Sequence, residues 1–275
     1  MTLPFLFSQL EPQSWSRNWD DEFVDDDNLS EEQQPILLWG RSIKDKVKNG
    51  LRTKHLIVCL PLGASAFINS LNIEKKIVGS LLIPEIQLTN TSIHPSVNDN
   101  VCLIYSVNNL DESEVLLVVC QYEVPAERSH AWTTKLFEKI TPERVTVLDT
   151  ILDCDYRTFT EIALPLLRKI ETTTAKRVRG TAQSICPDLE APNLIQGAPA
   201  ALVSYCELRK IPATLYISLE DSRLLELETL QAFEPVLASF NFAVSANNNN
   251  KSSLKEQYGN VLRTISKRRP NPLYL

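Results

Sequence analysis

Hydrophobic and polar positions along the 275-residue chain form short apolar runs separated by polar turns. His55-Leu56-Ile57-Val58-Cys59-Leu60 is continuous rather than alternating, and Pro61 and Gly63 end it. A run of that kind predicts a strand buried on both faces. Similar runs at Ile77 to Ile83, Val101 to Val107, Val115 to Tyr122, Arg144 to Leu148 and Ala213 to Leu219 predict further strands. Helices are expected between them. Ala64 to Leu71 reads as a short one, and Glu127 to Ile140 as another with Trp132, Leu136 and Ile140 on one face. Pro199 to Leu208 suits a buried helix with proline near its first turn. Leu224 to Ala238 reads as a helix bent or interrupted by Pro235.

Strands alternating with helices, and strands that are apolar throughout, point to α/β architecture. The expectation is a single layered α/β/α domain with a largely parallel central sheet, between an acidic flexible N-terminal arm and an extended C-terminal tail. Residues 1–50 are assigned to the arm, 51–245 to the α/β body, and 246–275 to a polar linker, a short amphipathic helix and the tail. Leu254, Tyr258, Val261, Leu262 and Ile265 carry the helical spacing of that last part, and Pro270 and Pro272 lie beyond its end. The arm scatters Trp15, Trp19, Phe23 and Trp39 among charges. It buries too little apolar area to offset its ordering entropy, so it is read as mostly flexible, with the tryptophans as candidate anchors.

Composition adds compartment and charge. Hydrophobic residues make up 43% and charged residues 23%, the balance of a packed globular protein. The net charge of -6 argues against a generally basic nucleic-acid surface. The two ends are opposed: nine acids against Arg17 between Glu11 and Glu32, and six bases against Glu256 from Lys251 onward. The start lacks the basic region of a secretory signal, and no apolar run approaches the roughly 20 residues of a membrane helix. Cys59, Cys102, Cys120, Cys154, Cys186 and Cys206 are widely spaced with no CxxC pair, and three lie in apolar runs. A reduced protein of the cytoplasm, and also the nucleus, is expected, without membrane contact.

Catalytic chemistry is hard to find. His55, His94 and His130 have no second ligand at metal spacing, so neither a metal nor a cofactor is expected. The turn Gly63-Ala64-Ser65-Ala66, between a strand and a helix, is a position where α/β proteins hold phosphates. It carries neither Gly-rich signature, and a tight structural turn is the favoured reading. Ser204 and Cys206 lack a nucleophile elbow and are assigned to the core. Asp149, Asp153 and Asp155 beyond a strand end read either as an acid/base location or as a polar loop with Asx turns, the commoner outcome.

The chain ends in Leu273-Tyr274-Leu275, a hydrophobic residue, a tyrosine and a terminal residue. Such an ending, termed HbYX, is the pattern of factors that dock on the proteasome α-ring. Alone it arises by chance on the order of once in a hundred. The body adds Leu164-Pro165 through Leu167-Arg168, Cys186-Pro187 to Glu190, Pro192-Asn193-Leu194-Ile195, Pro199-Ala200-Ala201, Ser204-Tyr205-Cys206 and Lys210-Ile211-Pro212-Ala213 with Leu215-Tyr216. Glu228 to Leu237, containing Ala232-Phe233-Glu234-Pro235, extends the set. Over roughly residues 163 to 240 this resembles the proteasome assembly chaperone 1 family; the likeness is vaguer over 50 to 160 and absent in the first 50.

That resemblance implies a non-catalytic chaperone. Its partners would be proteasome assembly chaperone 2, in a heterodimer, and the α subunits of 20S precursors. It would sit on the outer face of the α-ring, favour correct ring assembly and prevent off-pathway association. Docking would fall to Leu273, Tyr274 and Leu275: an apolar step, a ring with a hydroxyl, and a carboxylate for a pocket lysine. Pro270 and Pro272 would pre-extend the segment, and nine extended residues from Lys267 reach up to about 30 Å. Lys267, Arg268 and Arg269 would give electrostatic support against an acidic surface, or complement the helix dipole instead. The alternatives are a nucleoside-phosphorylase-like α/β enzyme using the turn around Gly63, and an activator of the mature proteasome.

Overall fold

The computed structural model describes residues 34–41, 43–48, 50–87, 99–107, 115–158, 163–221, 225–240 and 251–266. Among the described residues eight strands form one sheet: β1 (Ile36–Trp39), β2 (Leu51–Cys59), β3 (Lys75–Leu82), β4 (Cys102–Val107), β5 (Val115–Cys120), β6 (Ile140–Leu152), β7 (Leu167–Glu171) and β8 (Ala213–Glu220). Their order across the sheet is β1-β3-β4-β5-β2-β6-β8-β7. The centre is parallel, with β2 between β5 and β6 and β8 beside β6. Antiparallel pairings border it, β4 on β5 at one side and β7 on β8 at the other.

The continuous apolar runs have a direct physical explanation. Leu56, Val58 and Leu60 enter one core, while Ile57 and Cys59 enter the other. The first core is covered by α1 (Lys44–Lys48), α3 (Ser129–Phe137) and α5 (Gly197–Leu208), through Val47, Trp132, Leu136, Leu202 and Cys206. The second is covered by α2 (Gly63–Ser70), α6 (Leu227–Gln231) and α7 (Lys251–Ser266), through Phe67, Ile68, Leu230, Tyr258 and Ile265. Every central position therefore faces a helix layer, and the chain is a three-layer α/β/α body as expected. A further helix, α4 (Thr173–Arg179), is capped by Thr172, whose Oγ1 accepts from the Ala175 main-chain N–H at 3.2 Å.

Three elements escape a hydrophobicity reading. β1 and α1 lie inside the stretch assigned to the arm, so the folded body starts before residue 50. Leu37 of β1 pairs with Leu81 of β3, and Ile43 is fully buried. β7, Leu167-Arg168-Lys169-Ile170-Glu171, is three-fifths charged. Its charges are partnered: Lys169, 2% exposed, pairs with Glu171 and lies 3.1 Å from Asp188, and Glu171 also meets Arg179 at 3.1 Å. A strand can carry buried charge where each ion is paired, but apart from the Lys169–Glu171 pair within β7 the partners lie outside it. The expected helix over 224–238 is split into α6 and a 3-10 turn at Glu234–Ser239, with Pro235 in its first turn. Ser204, assigned to the core, is exposed on α5, whereas Cys206 is buried.

Candidate functional site

Residues Leu273, Tyr274, Leu275, Lys267, Arg268 and Arg269 lie outside the described residues; the helix that leads to them does not. α7 is fixed by its apolar stripe. Tyr258 is fully buried, its ring 6.3 Å from that of Phe67, which packs 5.4 Å from Phe233. Ile265 is buried as well, with Leu254, Val261 and Leu262 half-covered. The described helix thus ends at Ser266, packed against α2 and α6, one residue before Lys267.

A second place in the fold gathers chemistry. The carboxyl ends of β2, β5, β6 and β8 open into a cavity of about 870 Å³. After β2 the chain turns into α2 on one face; after β5 it runs into α3 on the other. Loops that diverge from adjacent parallel strands leave a crevice at the sheet's edge, the usual binding position in open α/β folds. Apolar walls come from Leu60, Leu62, Ile86, Val124, Leu152 and Pro199, and the acids are Glu123, Asp149 and Glu220.

Glu220 explains the turn at Gly63. Its Oε2 accepts from the Gly63 main-chain N–H at 3.2 Å and from Thr150 Oγ1 at 2.8 Å. The start of α2 has no side-chain cap of its own, so a carboxylate at the end of β8 supplies the acceptor for an orphan helical N–H. A Cβ at Gly63 would stand 2.7 Å from Thr150 Cγ2 and 2.9 Å from Thr229 Cγ2, so only glycine lets α2 approach β6 and α6 this closely. The place a phosphate would take is therefore filled by the protein's own carboxylate. The structural reading of this turn holds, and sequence reasoning missed Glu220. Its one local signal is an acid closing an apolar strand; its partner is 157 residues away.

The three aspartates taken together in the sequence separate in space. Asp153 and Asp155 lie in the exposed turn after β6, where Asp153 Oδ1 accepts from the Cys154 N–H at 2.8 Å. Asp149 sits within β6, packed around by protein with one edge on the cavity. Burial pushes its carboxyl up to about 7; a hydrogen bond from the Thr150 main chain opposes the rise and the charge of Glu220 adds to it.

Between about pH 4 and 7 the folded state keeps a proton that the unfolded chain releases, so Asp149 lowers stability as pH rises through that window. Asp149→Asn is expected to gain stability over the parent, by nothing at pH 4 and on the order of 1–3 kcal/mol at pH 8. Denaturant melts of both proteins across that range check it; a gain independent of pH would contradict the assignment.

His55 is buried, its Nε2 2.9 Å from Thr146 Oγ1 and its Nδ1 3.1 Å from an Arg144 nitrogen. Burial, then the Arg144 charge, pushes its pKa down to about 3, so it stays neutral. His130 is exposed and His94 lies outside the described residues. All six cysteines are free thiols, and burial holds Cys59, Cys102, Cys186 and Cys206 in the protonated form. Among the described residues no group of three or more acids, histidines or cysteines is placed to hold a metal ion, and no helix is long and apolar enough to cross a membrane.

A family model named PAC1, described as Proteasome assembly chaperone 4, matches residues 11–270. Proteasome assembly chaperone 1 of Homo sapiens is 30% identical over 222 residues, which is 75% of this chain and 74% of that protein. The numerals differ; the assembly-chaperone class is common to both. Among solved structures, PbaB of Pyrococcus furiosus, an archaeal proteasome activator, superposes with a TM-score of 0.57 at 12% identity, covering 86% of this chain and 98% of that one. PbaA of the same organism, an archaeal homolog of proteasome-assembly chaperone, gives 0.54 at 12% identity, with 86% and 100% covered. At that identity the two structures share the fold alone.

Proposed function

We propose a function that starts from one established point: the chain belongs to the proteasome assembly chaperone family. That family consists of chaperones rather than enzymes. The match over residues 11–270 carries the reading, because it spans both core layers and reaches past α7 toward the tail. The chain acts on the outer face of the α-ring of 20S precursors, paired with proteasome assembly chaperone 2. It promotes ring formation and prevents off-pathway association, in the cytoplasm or nucleus.

Docking is assigned to Leu273, Tyr274 and Leu275. α7 supports this assignment physically. A tail that leaves a helix held by Tyr258 and Ile265 starts from a fixed point, so less freedom is lost on insertion than from a free chain. Lys267, Arg268 and Arg269 add electrostatic support at the root of the tail. The edge of the sheet suits a protein partner: Ile36 and Leu38 of β1 are 45% and 51% exposed, and Ile77 of the adjacent β3 is 43% exposed.

The test is affinity capture of the full-length chain tagged at its N-terminus. The expected result is co-recovery of a related chaperone chain together with α subunits that lack mature β subunits. Recovery of finished 20S particles, with stimulated peptidase activity, would make the chain an activator instead and overturn the assembly role.

A further inference from the structure

Among the described residues the sheet ends at β1, with no strand on its outer side. The Gly40 main-chain N–H donates to the Val78 carbonyl at 2.7 Å, which makes these two a bonded pair of the antiparallel ladder. Bonded pairs recur at every second residue, so Leu38 and Ile36 also bond β3, while Leu37 and Trp39 turn their N–H and C=O groups to the open side. The strand is apolar there as well: Ile36, Leu38 and Ile77 of the adjacent β3 are exposed. All three lie on the second-core side of the sheet, since Leu37 and its partner Leu81 enter the first core and Ile77 stands opposite Tyr105 of the second. The Trp39 indole N–H, at the end of the same strand, is buried with no acceptor among the described residues. An apolar edge with outward ladder groups is a template for one more strand.

We propose that the chain's own N-terminal segment, Leu3 to Phe7, adds to β1 as this outer strand and covers Ile36 and Leu38. The described chain begins at Gln34, two residues before β1, so the segment is tethered to the edge it would join. Leu3, Phe5 and Phe7 alternate with Pro4 and Leu6, the period of a strand. Pro4 has no N–H to give, so pairing falls to Leu3, Phe5 and Phe7, and an edge strand tolerates proline at the position turned away. Residues 8–33 span up to about 90 Å when extended, ample for a return over one strand, and the closure cost of such a loop grows only slowly with its length. Charge favours the same course. Nine acids face one base between Glu11 and Glu32, whereas from Arg41 to Lys54, just past β1, six exposed bases accompany Asp45 alone. A returning arm brings its acids to that basic stretch. Where this edge also receives a protein partner, the segment is the cover that the partner displaces; that consequence rests on the proposed function, the docking itself does not.

The experiment compares hydrogen–deuterium exchange in the full chain and in one lacking residues 2–10, read on a peptide that spans β1. In the full chain the β1 amides are expected to exchange about tenfold more slowly, with β2, β5 and β6 alike in both proteins as the sign that both are folded. A synthetic peptide of residues 2–10, added to the shortened chain, should restore the protection saturably. Phe5→Asp combined with Phe7→Asp in the full chain should abolish it without touching the body. Equal exchange at β1 in the full and shortened chains overturns the contact, as does protection that survives the double substitution. Protection that rises with protein concentration, alongside a dimer in sedimentation, also overturns it and assigns the edge to a second copy of the chain.

Discussion

Removal of Leu273 to Leu275 is expected to weaken binding to α-ring precursors about a thousandfold while leaving folding intact. Interface energies concentrate in a few buried anchors, each worth about 2 kcal/mol or more, and 1.4 kcal/mol is a tenfold change. Tyr274 and Leu273 are the two side chains suited to that role. The truncated protein should melt at the parent's midpoint, because the anchoring residues of the helix before the tail, Tyr258 and Ile265, remain in place. Titration of isolated α-ring precursors, with melts of both proteins, separates the effects. Parent-like affinity would remove the docking role; a lowered midpoint would show that the tail belongs to the fold. Tyr274→Ala should reproduce most of the loss, since it deletes the ring and hydroxyl but leaves the tail's length.

Trp132→Ala should cost about 3–5 kcal/mol, the range for deleting a large buried aromatic. Against a typical native stability of about 5–15 kcal/mol, that is a large fraction of the total. Trp132 is fully buried in the core under α3 and α5. It is also the near end of a short polar chain: its indole N–H donates to Tyr122 Oη at 3.2 Å, and the Tyr122 hydroxyl donates to the Leu81 carbonyl at 2.9 Å. Truncation therefore opens a cavity and removes a donor from a buried hydroxyl at once. Trp132→Phe restores most of the apolar volume but not the donor, and should recover more than half of the loss. Chemical denaturation of the three proteins measures the ladder. Equal midpoints for the alanine and phenylalanine variants would place the energy in the hydrogen bond rather than in packing.

These predictions differ in how much of their basis is legible in one dimension. The tail is a property of three consecutive residues, and the helix before it follows from apolar spacing alone, so both are expected from the chain. Trp132 is recognisable as a core residue from its spacing with Leu136, yet its contact with Tyr122 depends on how α3 lies across the sheet. The linkage between Glu220 and Gly63 is beyond a local reading altogether. Asp149 shows the same limit from the other side. As a residue it looks like its neighbours Asp153 and Asp155, and only enclosure beside Glu220 gives it a different proton affinity.

What the amino-acid order determined by itself is the α/β class, the central strands, the apolar stripe of α7 and the family likeness. Each of these is written in residues close together, through apolar periodicity or a run of identical types. Tertiary structure decided the rest: β1 and α1 as part of the body, a charged β7 whose ion pairs reach Arg179, Asp188 and Glu190 outside the strand, and an acid-lined crevice. Those depend on which distant segments share an edge. Hydrophobic burial is proportional to area and shows in any short window, whereas a hydrogen bond or a pair of charges exists only when the fold has closed the distance between its two ends.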